Sequence, residues 1–101
     1  MASGNKKSEK VECLNPNTGG RMNIDKEIYD LFVKSIKATL KGSSPLTFTE
    51  MVEGITNYIS KQKIHFDKSI GWYAVTIKND MEARKMITTY SEKGQKLHRL
   101  S

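Results

Sequence analysis

The sequence predicts an α+β fold in which a core of three helices is followed by a two-stranded β-hairpin. Apolar residues recur at three- and four-residue steps in three segments, and turn-forming residues separate those segments. Near the end of the sequence, two short segments flank Gly94, and the first of them is rich in β-branched and aromatic residues. With 101 residues, the chain has the length of one compact domain.

The residues before the helices divide into two segments. Residues 1–10 are small, polar and charged, which predicts a disordered basic tail. Residues 11–23 combine a short apolar stretch with a cluster of turn formers at 15–20, which predicts an arm or a short strand and turn. The folded domain is therefore expected to span 24–101.

The first helix is predicted over 24–40 and the second over 48–61. Ile24, Ile28 and Phe32 repeat along one face of the first helix. Thr47 and Glu50 have the spacing of a capping box at the start of the second. Gly54 is expected to lie off the buried stripe of the second helix and to cost about 1 kcal/mol relative to Ala.

The third helix is predicted over 70–85, and residues 87–91 are predicted to pair antiparallel with 96–100 around Gly94. The periodicity turns Trp72, Thr76 and Asn79 away from the apolar face of the third helix. One core is expected from the apolar stripes of the three helices: Ile28, Phe32, Met51, Ile55, Ile59, Ile70, Ala74, Ile77 and Met81.

This arrangement resembles a winged helix-turn-helix domain over residues 24–100. Residues 46–51 (LTFTEM) look like the opening of the second helix in many winged-helix regulators. Residues 80–87 (DMEARKMI) look like their passage from recognition helix into wing, with Lys85-Met86 in place of the usual Gly-Leu. Together with Gly71-Trp72, that passage also resembles a family of small uncharacterised bacterial winged-helix-like proteins, which brings no known activity.

The resemblance implies that the third helix lies in the major groove of DNA and that the hairpin is the wing. The residues that would then face the groove are Lys68, Ser69, Trp72, Thr76 and Asn79. The residues that would contact phosphate from the wing are Lys93, Lys96 and Arg99. The groove-facing set holds no Arg, the side chain that most often reads guanine, so phosphate neutralisation is expected to dominate over base contact.

The charge balance also favours an anionic partner. Lys and Arg number 17 against 11 Asp and Glu, a formal net charge of +6. The tail, residues 68–86 and residues 92–99 contribute about +2 each, counting Lys and Arg against Asp and Glu. The alternative interpretation is a solvated basic surface without a partner.

The function predicted from these patterns is that of a non-enzymatic, cytoplasmic, DNA-binding module, either a transcriptional regulator or a nucleoid-associated protein of bacterial type. The alternative is a winged-helix module for protein–protein contact or homodimerisation. A contiguous basic face over the third helix and wing would favour DNA, whereas an apolar patch around Trp72 would favour a protein partner. Trp72, the only tryptophan, is either an exposed contact residue or packs under the hairpin or arm, against Tyr90 or Leu97.

No residue pattern predicts catalysis, a cofactor or a metal. The single cysteine, Cys13, excludes an intramolecular disulfide and a multi-Cys zinc site; it is expected to be an inert or buried thiol in a reducing compartment. His65 and His98 are expected to be solvated. There is no phosphate-binding glycine loop, no apolar run long enough to span a membrane and no signal-peptide core, and a small hydrolase is disfavoured.

Overall fold

The computed structural model describes residues 9–101 and confirms the α+β class. The elements in chain order are β1 (Lys10–Leu14), β2 (Arg21–Asp25), α1 (Lys26–Gly42), α2 (Phe48–Lys61), α3 (Ile70–Ala83), β3 (Ile87–Glu92) and β4 (Gln95–Leu100). Each strand pair is antiparallel and forms its own two-stranded sheet. We call β1–β2 the N-terminal hairpin and β3–β4 the C-terminal hairpin. Strands therefore come both before and after the three helices.

The N-terminal hairpin occupies the segment for which the sequence predicts an arm or a strand and turn. β1 begins at Lys10, the last residue of the predicted tail, and the rest of that tail up to residue 8 lies outside the described residues. In the turn, the Asn15 carbonyl accepts from the Gly19 N–H at 2.7 Å, and the Asn15 side chain accepts from the Asn17 N–H at 2.9 Å. Gly19 has a φ of +75°, which explains a glycine at this position.

α1 begins later than predicted, because Ile24 and Asp25 belong to β2. Ile24 pairs with Val11 across the hairpin, and the Lys26 N–H donates to the Glu9 carbonyl at 3.1 Å. Ile24 is buried nevertheless. The four-residue spacing of Ile24 and Ile28 is compatible with one helix, but also with a strand whose last residues are buried in the core. Periodicity alone does not distinguish the two.

α2 has the predicted bounds and the predicted capping box. The Glu50 N–H donates to the Thr47 hydroxyl at 3.2 Å, and the Thr47 N–H donates to the Glu50 carboxylate at 2.9 Å. Gly54 is not among the buried core residues, but the expected cost relative to Ala is wrong, because Gly54 lies directly against Thr39 of α1. A Cβ at this position would overlap the Thr39 side chain, so the glycine permits the helix contact.

α3 ends at Ala83, two residues earlier than predicted. Lys85 adopts a left-handed conformation with φ +67°, the conformation that commonly ends a helix. The Met86 N–H reaches back to the Met81 carbonyl at 2.8 Å and so closes the last turn. Lys85 thus occupies the position at which a glycine is more usual.

The C-terminal hairpin has the predicted register, with Ile87 opposite Leu100. Its two-residue turn, Lys93-Gly94, has positive φ at both positions, which suits the twist of the strands. A bridge outside the hairpin joins β4 to the segment between α1 and α2: Leu46 and His98 exchange backbone hydrogen bonds of 3.0 and 2.8 Å.

All nine predicted core residues belong to one core, which lies between the helices and the two hairpins. Ile28 and Ile70 are partly buried against it, and the other seven are buried. The core also includes residues beyond the nine predicted for it: Cys13, Ile24, Ile36, Leu40 and Ile87. Within residues 9–101, no helix has the length and apolar character needed to cross a membrane.

Candidate functional site

The two halves of α3 have different surroundings. Residues 77–81 are all buried, because this half packs against β1, β3 and the other two helices. In the N-terminal half, Trp72 is 43% exposed and Val75 is 36% exposed. Only the N-terminal half of α3 is therefore open to a partner.

The five side chains predicted to face a DNA groove do not share one exposed face. Lys68, Ser69 and Trp72 are exposed and Thr76 is half-buried. Ser69 also caps α3, since its hydroxyl accepts from the Trp72 N–H at 3.1 Å. The prediction that Asn79 lies on an exposed face is wrong: Asn79 is only 9% exposed, because the N-terminal hairpin lies over it.

Trp72 is not covered by either hairpin, in contrast to the alternative in which it packs against Tyr90 or Leu97. Its ring meets Tyr73 edge-on, with 4.9 Å between the ring centroids. Val75 lies one turn further along α3, and Met22 of β2, which is 46% exposed, lines the same cavity as Val75. These three side chains, Trp72, Val75 and Met22, form what we call the apolar patch.

The three basic residues predicted in the wing are all exposed on the C-terminal hairpin. Lys93 is in the turn, whereas Lys96 and Arg99 extend from opposite faces of β4, because successive side chains alternate along a strand. None of the ion pairs within residues 9–101 includes Lys68 or any of these three residues. Four cations thus remain available to an anionic partner.

The buried half of α3 contains a carboxylate that holds the N-terminal hairpin. Asp80 is fully buried and accepts hydrogen bonds from the Leu14 N–H at 2.9 Å, the Tyr29 hydroxyl at 2.6 Å and Arg84 Nε at 2.8 Å. Burial, together with the bond to Asp80, raises the pKa of the Tyr29 phenol. Arg84 also donates to the Glu12 carbonyl at 3.0 Å. Asp80 and Arg84 therefore bind the outer edge of β1 much as a neighbouring strand would.

A second ion pair on α3 faces the C-terminal hairpin. Lys78 Nζ lies 2.8 Å from Glu82 Oε2, and the Thr89 hydroxyl donates to the same oxygen at 2.7 Å. Burial alone would raise the pKa of Glu82, but the hydrogen bonds from Lys78 and Thr89 outweigh it and the pKa is lowered. The positive charge of Lys78 is therefore balanced by Glu82 inside the fold.

The prediction of a solvated His98 is wrong, because His98 is fully buried opposite Thr89. Its Nδ1 donates to the Leu46 carbonyl at 2.9 Å, which fixes the neutral ring with its proton on Nδ1. Burial lowers the pKa of His98, and the positive charges of Lys78 and Lys96 act in the same direction. His65 is exposed, as predicted.

Cys13 is buried, as predicted for a structural thiol. Burial, followed by the negative charge of Asp80, raises the pKa of Cys13 to about 11. The thiol is therefore protonated at neutral pH and is a poor nucleophile. Among the residues that the structure describes, no three His, Cys, Asp or Glu side chains cluster closely enough to hold a metal ion.

A family model matches residues 10–97, which is most of the chain. The chain belongs to the family of unknown function DUF6958. No curated protein and no solved structure matches it. The match to DUF6958 begins at the first residue of β1 and extends into β4, so the family domain includes both hairpins.

The two interleaved ion pairs that join α3 to the hairpins of this DUF6958 domain were not predicted from the sequence. Their signal is the alternation of charges at Lys78, Asp80, Glu82 and Arg84, which places two opposite-charge pairs four residues apart. Such a pattern is usually attributed to a solvated helix face. Here Lys78 and Asp80 are buried, because each faces a hairpin.

Proposed function

We propose that the protein is a non-enzymatic binding module of winged-helix type, and that it contacts duplex DNA with its C-terminal hairpin and the N-terminal half of α3. The order of three helices followed by a hairpin supports the winged-helix assignment. The Leu46–His98 bridge supports it too, because it fixes the hairpin to the segment that leads into α2. In this proposal the C-terminal hairpin serves as the wing.

The observation that carries the DNA proposal is that four exposed cations outside the internal ion pairs lie beside the start of α3 and on the C-terminal hairpin. Lys68 immediately precedes the cap of α3, and Lys93, Lys96 and Arg99 lie on the C-terminal hairpin. By contrast, Lys78 in the buried half of α3 is paired with Glu82, and Arg84 at the C-terminal end of the helix is paired with Asp80. These four cations therefore lie on the parts of a winged helix that would meet the phosphate backbone.

Binding would be largely independent of base sequence. Helix-turn-helix proteins contact base edges with the N-terminal residues of their recognition helix, and only this half of α3 is open. Trp72 and Val75 offer apolar surface there, whereas Asn79 is covered by the N-terminal hairpin. Phosphate contacts would supply most of the affinity.

The test is a salt titration of the binding of a fluorescein-labelled, mixed-sequence duplex, measured by fluorescence anisotropy between about 50 and 200 mM salt. Four phosphate contacts predict that log K falls with log salt with a slope of about −3 to −4. Lys93→Ala/Lys96→Ala should flatten the slope by about two units, and the matched double variant Lys34→Ala/Lys37→Ala on α1 should leave it unchanged. Absence of duplex binding at about 50 mM salt and micromolar protein would overturn the proposal.

A protein partner is the second candidate, and the apolar patch is the observation that favours it. Large apolar side chains are exposed together at Trp72, Val75 and Met22, and tryptophan is frequent in binding hot spots. This candidate predicts weak or absent duplex binding and a Trp72 fluorescence that changes with protein concentration or with an added protein partner. A Trp72 signal that responds only to duplex would contradict it.

A further inference from the structure

A cavity of about 380 Å³ lies between the turn of the N-terminal hairpin and α3. Its size is within the range of small-molecule sites, which are usually apolar with a few polar groups that fix the orientation of the ligand. Its apolar lining consists of Cys13, Leu14, Met22 and Val75. Because burial keeps the Cys13 thiol protonated, that side chain contributes to the apolar lining as well.

The polar side chains of this cavity share one property: each carries a hydrogen-bond donor. They are Asn15, Thr18, Arg21, Thr76 and Asn79. Arg21 is the only charged side chain among those that line the cavity, and its contact with Glu12 is long, at 3.4 Å between exposed side chains. An acceptor with negative charge would therefore suit the site.

Asn79 is the second and independent observation that indicates a ligand. Its neighbours Lys78 and Asp80 are bonded to Glu82 and Arg84, but within residues 9–101 the Asn79 amide makes no side-chain hydrogen bond. Asn79 is nevertheless nine-tenths buried and lines the cavity. Among the described residues, the only fully buried polar side-chain atom without a partner is Nε2 of His98, so the Asn79 amide is accessible from the cavity and a polar ligand atom there would bond it.

We propose that the cavity between the N-terminal hairpin and α3 binds a small carboxylate with a short apolar body. The carboxylate accepts hydrogen bonds from Asn79 and Thr76 and pairs with Arg21, while the apolar body lies against Val75 and Met22. This site is separate from the four cations of the DNA proposal and does not depend on them. Because Val75 belongs to the open half of α3, an occupied cavity would change the surface that this half presents.

The test is a titration of the ¹⁵N-labelled full chain, followed by the backbone amide signals in ¹H–¹⁵N correlation spectra. The probes are hexanoate and N-acetylleucine, with hexanamide and N-acetylleucinamide as their uncharged counterparts. We expect saturable shifts at the amides of Arg21, Val75, Thr76 and Asn79, with dissociation constants of roughly millimolar order for ligands of this size. The uncharged ligands hexanamide and N-acetylleucinamide should bind at least about tenfold more weakly, because they lack the charge that pairs with Arg21.

Hexanoate and N-acetylleucine distinguish two possible sources of the carboxylate, a free small acid and the carboxyl terminus of a peptide. Tighter binding of hexanoate indicates a free acid, and tighter binding of N-acetylleucine indicates the carboxyl terminus of a peptide. Either result supports the carboxylate site.

Two variants locate the binding. Arg21→Gln should remove the preference for acids over amides, whereas Lys37→Gln, which removes an exposed cation outside the cavity, should preserve it. Asn79→Leu should abolish binding, and Asn79→Ser serves if the leucine variant does not fold. Equal binding of acids and amides to the unaltered chain, or no saturable shift at the four amides, would overturn the proposal.

Discussion

The two hairpins are alike in topology but differ in what their charged side chains do. In the N-terminal hairpin, Lys10 pairs with Asp25 and Arg21 lies 3.4 Å from Glu12. In the C-terminal hairpin, the cations Lys93, Lys96 and Arg99 take part in none of the described ion pairs. The first hairpin thus balances its own charge, and the second presents a positive surface.

The hairpins also differ in how they are attached. β1 presents its outer backbone groups to Asp80 and Arg84 of α3, which blocks an edge that could otherwise pair with another strand. β4 is attached by backbone hydrogen bonds to Leu46, and β3 by the Thr89 hydroxyl to Glu82. Side chains of α3 therefore contact the backbone of one hairpin and a side chain of the other. The N-terminal hairpin is thus held by a buried carboxylate of α3, whereas the C-terminal hairpin carries the exposed cations on which the proposed binding of DNA depends.

The largest loss of stability is expected from Asp80→Asn. The amide has one acceptor oxygen where the carboxylate has two, and it carries no charge for Arg84, so Leu14, Tyr29 and Arg84 cannot all remain bonded. We expect the free energy of unfolding to fall by about 3 kcal/mol in urea titrations at pH 7. Asp30→Asn, in the exposed pair with Lys26, is the matched control and should cause no measurable loss. Similar losses in both variants would contradict the structural role of Asp80.

A smaller loss, about 2 kcal/mol, is expected from Glu82→Gln, because the Lys78 side chain is only 8% exposed and would lose its counter-charge. Glu82→Gln and Asp80→Asn should also differ in which hairpin they destabilise. Hydrogen exchange should accelerate in β3–β4 for Glu82→Gln and in β1–β2 for Asp80→Asn. Glu53→Gln, on the exposed face of α2, is the control. The same exchange pattern in both variants would show that the hairpins are not attached independently.

Protonation of His98, in the C-terminal hairpin, should cause a still smaller loss of stability that depends on pH. Its pKa in the folded chain is lowered from the ordinary 6.5, so below pH 6.5 the unfolded state binds more protons than the folded state. Stability should therefore be fully present above pH 6.5 and should fall as the pH decreases below it, by at most about 1.4 kcal/mol per pH unit.

Urea titrations between about pH 5 and 8 measure this slope. His98→Gln should remove the slope between pH 5 and 6.5, and His65→Asn, at an exposed position, should not. The lowered pKa of Glu82 adds a further loss only at more acidic pH, below its ordinary 4.5. A slope that survives in His98→Gln would assign the effect to another group.

The parts of the fold that the sequence predicts correctly are those that local chemistry determines. The start of α2 follows from the Thr47–Glu50 capping box, and the register of the C-terminal hairpin follows from the turn at Lys93-Gly94. The start of α1 was wrong because apolar spacing at Ile24 does not distinguish a helix from the end of a strand.

The candidate site was predicted less well, because the burial of its residues depends on contacts with residues distant in sequence. A helical wheel assumes one buried face, but α3 is enclosed by helices and by both hairpins over residues 77–81. Asp80 is buried because Leu14 and Tyr29 approach it from elements that lie 66 and 51 residues earlier in the sequence. No local pattern contains that information, and for the same reason the cavity beside Asn79 could not be anticipated.

The smallest effect on folding, and the sharpest test of the comparison, is the removal of two cations from each hairpin in turn. Lys93→Ala/Lys96→Ala and Lys10→Ala/Arg21→Ala change the net charge by the same amount, and surface substitutions of this kind usually alter stability by less than about 0.5 kcal/mol. If DNA binds to the cations of the C-terminal hairpin, the first variant should flatten the slope of log K against log salt by about two units. The second should change it little, because Glu12 and Asp25 cancel the charges of Lys10 and Arg21 and the N-terminal hairpin presents no net positive charge to the phosphates. Equal flattening by both variants would mean that duplex DNA responds to total charge rather than to the C-terminal hairpin, and the difference between the two hairpins would then have no role in binding.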